Sequence, residues 1–166
     1  MQANQSSEAQ TITRLYREWE ELYHAIALQA GLSDSAFLIF YAITELGEGC
    51  LQKDIAQRYF ISRQTVSSSI RVLKQKGYLF LKPGKRRDMH IFLTGPGREV
   101  LEGRLRPLLA VEEHALAQMP AGERQVFFHL FQKYLDLYRQ KLNTLSSEAG
   151  HRNVPPGPQA RLRRKR

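Results

Sequence analysis

The 166-residue chain lacks most of the features that commit a protein to a membrane or to covalent chemistry. It has one cysteine, Cys50, which excludes an internal disulfide and a cysteine-built metal cluster. Its longest apolar run, Ala36 to Ile43, is eight residues, far short of the roughly 20 that a membrane-spanning helix needs. The N-terminal stretch MQANQSSEAQ lacks the basic-then-apolar order of a signal peptide. No Gly-rich phosphate loop, nucleophile elbow or pair of carboxylates in a plausible cleft is legible, so the sequence does not read as an enzyme. The histidines His24, His90, His114, His129 and His151 include no i, i+4 pair of the kind that holds a metal on a helix, and no cofactor is expected. These absences point to a reduced, cytoplasmic protein.

What the chain does have is a core and a segregated charge. Apolar residues make up 42% and charged residues 25%, the balance of a globular domain. The formal net charge of +9 is unevenly spread. Residues 1–50 carry −5, residues 51–94 carry +8, residues 95–150 are neutral, and residues 151–166 carry +6. A concentrated basic block suggests a surface that meets phosphate.

Helical periodicity dominates. Ile12, Leu15, Tyr16, Trp19, Leu22, Tyr23 and Ile26 recur at steps of three and four, predicting a helix over 8–30. Ser33 can cap a helix over 34–46, whose Phe37, Leu38, Phe40, Tyr41 and Ile43 surround most of its circumference and mark it as central to the core. A short helix is expected near 53–59, with Ile55 and Tyr59 inward, although Leu51 and Gln52 are poor caps. Ser62 then caps a helix over 63–76, closed by Gly77, with Val66, Ile70 and Leu73 as its inner stripe. The period next shortens to that of strands. Tyr78–Leu81 and Met89–Leu93 flank a Pro-Gly turn loaded with cations, which reads as a β-hairpin with a basic tip. Thr94 can cap a helix running to about 118, with a loose first turn at Gly95-Pro96-Gly97 and a kink or break at Pro107. A last helix over 122–143 carries the stripe Phe127, Phe131, Tyr134 and Tyr138.

Helix, tight turn, capped helix and basic hairpin in that order form a winged helix-turn-helix. Opposite the inner stripe of the second motif helix lie Gln64, Ser67, Ser68 and Arg71, with Arg63 and Thr65 at its start. Short hydrogen-bonding side chains let a helix sit deep in a major groove, where arginine can fork to guanine and glutamine to adenine. Ser62 and the first amides suit a phosphate, and Lys74 can clamp the backbone. Lys85, Arg86 and Arg87 at the hairpin tip would reach the minor groove or its flanking phosphates.

Residues 10–145 resemble the MarR family of bacterial transcription regulators. The resemblance rests on QKDIAQRYFISRQTVSSSIRVLKQKGY (52–78) and RRDMHIFLTGPGREVLE (86–102), followed by long helices. It implies a mainly α fold of about six helices with a small β-wing, arranged as a homodimer whose N- and C-terminal helices intertwine. It also implies a pseudo-palindromic operator and release by a small ligand, the behaviour of a repressor. By position, the family's wing arginine matches Arg87. The family's wing aspartate falls on Lys85, so the usual bracing of that arginine is missing.

The expected organisation is a flexible N-terminus (1–9), N-terminal helices (10–48), a DNA-binding lobe (49–95), C-terminal dimerisation helices (96–145) and a disordered basic tail (146–166). The apolar stripes on the first and last helices independently support a dimer, and two-fold symmetry would set two recognition helices about 34 Å apart, one turn of DNA. The resemblance implies a ligand pocket, for which Trp19, Tyr23, His24, Phe37 and Tyr41 are candidates because rings with polar tips suit an aromatic acid. The expected partners are double-stranded DNA, a second copy of the chain and a small aromatic effector. The competing reading is a winged-helix adaptor that binds protein without reading DNA.

Overall fold

The computed structural model describes residues 2–85 and 88–148, and these divide into two compact units that meet in sequence at Val111 and Glu112. The first unit opens with α1 (Gln2–Gln29), which begins earlier than the sequence periodicity indicates. Gly31, at φ +71°, ends the turn that follows. Ser33 accepts a hydrogen bond from the Ala36 amide and caps α2 (Asp34–Leu46). Ala36, Phe37, Ile39, Phe40, Ala42 and Ile43 of α2 are buried, which makes it the central element of the core.

The poor cap before α3 (Gln52–Arg58) is compensated from the other side. The Asp54 carboxylate reaches back to accept from the Leu51 amide at 3.3 Å, half of a capping box. Ile55 and Ala56 are buried beneath it. The turn into α4 (Arg63–Gln75) places Phe60 at φ +56°, a left-handed conformation that costs a non-glycine residue about 1 kcal/mol. Ser62 caps α4 by accepting from the Thr65 amide at 3.0 Å. Val66, Ile70 and Leu73 are essentially inaccessible, and Ser69 joins them by donating to the Thr65 carbonyl.

The wing pairs β1 (Leu79–Pro83) antiparallel with β2 (Met89–Leu93), with Leu79 opposite Leu93 and Pro83 opposite Met89. A third stretch adds to it. Leu51 bridges His90, the Gly49 amide donates to the Ile91 carbonyl at 2.7 Å, and the Ile91 amide donates to the Cys50 carbonyl at 3.1 Å. Glu48 completes the anchorage, accepting from the Leu93 amide at 3.1 Å and from both Nε and Nη2 of Arg98 at 3.1 and 2.9 Å.

The single long helix expected over 95–118 is instead three segments. These are α5 (Gly95–Val100), a π-helical turn (Leu101–Leu105) and α6 (Arg106–Gln118). Pro107 explains the interruption. It has no N–H to give, and its ring would collide with the carbonyl four residues back, so the wider turn relieves that carbonyl just before it. Counted as one interrupted helix, these segments give six helices among the described residues, the number that the resemblance implies.

The opening of α5 is tight rather than loose. Thr94 Oγ1 accepts from the Gly97 amide at 3.1 Å, and a Cβ at position 97 would overlap the Tyr78 carbonyl. Gly97→Ala is therefore expected to destabilise the protein by about 2–3 kcal/mol, read as a lower urea midpoint at unchanged slope.

The second unit contains α7 (Ala121–Glu148), five residues longer at its C-terminus than the expected 122–143. At about 100° per residue, its apolar side chains from Val126 and Leu137 round to Phe128 and Leu135 span roughly half its circumference. His129, Gln132, Lys133, Asp136 and Gln140 hold the other half. The basic tail read from residue 146 onward lies, beyond Glu148, outside the described residues. Among the described residues no single helix is long and apolar enough to cross a membrane.

Candidate nucleic-acid interface

The α4 helix presents two chemically distinct sides. The inner side is Val66, Ser69, Ile70 and Leu73, all buried against the core. The outer side is Arg63, Gln64, Ser67, Ser68, Arg71 and Lys74, all exposed. Thr65 is exposed too, its hydroxyl 2.7 Å from that of Ser62, so the cap is a small hydroxyl pair at the helix start. Ser68 donates to the Thr65 carbonyl at 2.9 Å, an internal bond that a base edge can replace by rotation of one torsion.

Lys85 stands exposed at the end of the wing. Arg86 and Arg87, the other expected wing contacts, lie outside the described residues. At the base of the wing the Asp88 carboxylate lies 3.3 Å from Nζ of Lys53 on α3. Asp88, Lys53 and Arg63 share a cleft of about 320 Å³ with Leu51, Gln52 and Met89, between the wing base and the starts of α3 and α4. Lys53 was absent from the residues singled out in the sequence. The signal was there: Asp88 is the one acid beside four wing cations.

The aromatic candidates separate into two groups. Tyr23, Phe37 and Tyr41 come together, with ring centroids 5.8 to 6.3 Å apart. They line a concavity of about 490 Å³ together with Leu38, Glu45, Arg58 and Tyr59. His24 does not line it; its Nδ1 is 2.8 Å from the Asp34 carboxylate. Trp19 lies one turn away on α1, its ring 6.2 Å from that of Tyr23. Sequence reading assigned Tyr59 to the core and left Glu45 and Arg58 unassigned. In the structure Glu45 accepts from both Arg58 and the Tyr59 hydroxyl. Burial, with Tyr41 alongside, pushes the Tyr59 phenol up to about 12, so it remains a neutral donor at physiological pH.

Cys50 is buried, and desolvation with the nearby Asp54 charge pushes its thiol up to about 11. It is therefore not a thiolate at neutral pH, which suits packing better than redox sensing. Among the described residues no three His, Cys, Asp or Glu side chains gather into a metal set.

A buried-faced helix with an open polar side, preceded by a short helix and a left-handed turn and followed by a two-stranded wing, is a winged helix-turn-helix lobe. Residues 30–87 match the MarR family. The match covers the winged-helix lobe, and the chain shares its fold with solved MarR family regulators. It is similar to a MarR family regulator from Neisseria meningitidis, at 20% identity over 89% of this chain and 99% of that one, with a TM-score of 0.62. It is also similar to a Bordetella bronchiseptica protein whose DNA binding is regulated by 6-hydroxynicotinic acid, at 20% identity over 76% and 92%, TM-score 0.59. A third similar structure is a Mycobacterium tuberculosis MarR family protein in complex with salicylic acid, at 17% identity over 75% and 93%, TM-score 0.53. No curated protein sequence matches the chain.

Proposed function

We propose that the protein is a sequence-specific DNA-binding regulator of transcription that works in the cytoplasm as a homodimer. It represses from a pseudo-palindromic operator and is released by a small aromatic ligand. The observation that carries this reading is the exposed Arg63, Gln64, Ser67, Ser68 and Arg71 side of α4, set on a rigid buried stripe within a lobe of net charge +8. Phosphate contacts from Ser62, Lys74, Lys85, Arg86 and Arg87 would supply most of the affinity. The base-facing side of α4 would supply the selectivity.

Dimerisation gives the exposed apolar faces a purpose. Ile12, Leu15, Tyr16, Trp19 and Leu22 of α1 are exposed, as are Val126, Phe127, Phe128, Leu130, Leu137 and Tyr138 of α7. Such continuous apolar bands on a single chain are the mark of an interface. A ligand in the concavity would act by favouring a dimer shape whose recognition helices no longer match both half-sites.

Selection of duplexes from a random pool tests the reading. The expected product is an inverted repeat with half-sites about 10 base pairs apart, and Arg71→Ala should flatten the preference at one position in each half-site. An unenriched pool, with equal binding to any acidic polymer, would favour the adaptor reading.

The Lys53–Asp88 pair makes a second expectation. Asp88 places negative charge on a surface that must approach phosphate, and it holds a lysine that could contact the backbone. Asp88→Asn should raise affinity for any duplex by about three- to tenfold and steepen the salt dependence. Fluorescence anisotropy on a random duplex measures this. Weaker binding would mean that the pair serves chiefly to hold the wing in place.

A further inference from the structure

The aromatic concavity of the first unit carries its own carboxylate, and this bears on what can enter it. Its wall is Tyr23, Phe37, Tyr41 and Tyr59, with Tyr41 and Tyr59 ring centroids 6.0 Å apart and nearly perpendicular. Its charged residues are Glu45 and Arg58, joined to each other, with the Tyr59 hydroxyl donating to the same carboxylate. An aromatic acid would need a cation, and Arg58, the cation that lines the concavity, is already engaged by Glu45.

We infer that this concavity takes an aromatic ammonium ion rather than an aromatic carboxylate, with Glu45 as the anionic wall of the site. The inference deepens the regulator reading, on which it rests only for the consequence of binding.

The Glu45–Arg58 pair alone is neutral and could open toward either charge. Two observations break that symmetry. First, Glu45 is held from two sides, by Arg58 and Tyr59, whereas Arg58 is the more exposed partner, at 42% against 33% for the Glu45 side chain. A cation entering displaces only the exposed arginine head, which regains water. A carboxylate entering must draw Arg58 away from Glu45 and then lie beside a like charge. Second, four rings crowd the site, and the negative face of an aromatic ring attracts a cation and repels an anion. The volume, about 490 Å³, is ample for one ring with a substituted ammonium head.

The test uses a pair of probes of similar shape and opposite charge, benzyltrimethylammonium and benzoate, titrated calorimetrically into the full-length protein without DNA at fixed ionic strength. The cation should bind at least about tenfold more tightly than the acid. Glu45→Gln should abolish that preference or reverse it, because it frees Arg58 and Tyr59. Arg58→Gln keeps the carboxylate and removes its competitor, so it should strengthen cation binding and leave benzoate undetectable. The second variant keeps the question open to refutation if the first does not fold. Tighter binding of benzoate to the unaltered protein, equal binding of the two, no binding of either at millimolar concentration, or a preference indifferent to both variants would each overturn the inference. Whether the cation also releases DNA is measured separately by anisotropy. Failure there would count against the regulatory reading and leave the charge preference standing.

Discussion

Phe131→Asp is expected to leave the chain monomeric in sedimentation and to abolish operator binding. Phe131 lies near the middle of the apolar half of α7, stacked on Phe127 at a centroid distance of 6.1 Å, and it is 37% exposed in the single chain. Within one chain, an aspartate there remains hydrated and costs little. Against a second chain it would be desolvated without a partner, a penalty of several kcal/mol for each copy, and a symmetric interface incurs it twice. The same substitution on the polar half, such as Gln140→Asp, should leave the dimer intact. That contrast separates loss of an interface from loss of helix stability. A well-folded dimer carrying Phe131→Asp would remove α7 from the interface.

The second large effect concerns salt. If each dimer neutralises about 6–10 phosphates, affinity for the operator should fall by on the order of 10³–10⁵ between 50 and 200 mM salt, because each contact releases condensed counterions. The lobe has the charge to do this. Arg63, Arg71 and Lys74 are exposed on α4, Lys85 is exposed on the wing, and two lobes double the count. Affinity for random duplex should fall with a similar slope from a weaker starting point, since backbone contacts are common to both and base contacts are not salt-linked. A flat salt response would rule out this basic face as the binding surface.

How much of this was legible in the sequence depended on how local the determining physics is. The caps at Ser33, Ser62 and Thr94 were readable because a cap is a contact over three residues. The inner stripe of α4 was readable because periodicity survives any tertiary arrangement. The opening of α5 was not readable. Gly97 resembles a flexible spacer until the chain folds back and the Tyr78 carbonyl arrives above it. Asp88 posed the same difficulty, since its lysine is 35 residues away, and so did Glu45, whose two partners sit 13 and 14 residues along, at and just past the end of a different helix. The break before Pro107 was foreseen, but its form as a π-helical turn depends on how neighbouring carbonyls are satisfied.

The anchorage at the root of the hairpin constrains how any signal could travel. Glu48 grips Leu93 and Arg98 together, His90 Nδ1 lies 2.6 Å from the Gly49 carbonyl, and the backbone of 49–51 is stitched to β2. The strands therefore cannot bend away from the helices that carry them, and the lobe must travel as an oar blade does, all in one piece. In the proposed dimer, a small rotation of one such blade against the other would be felt most at the wings.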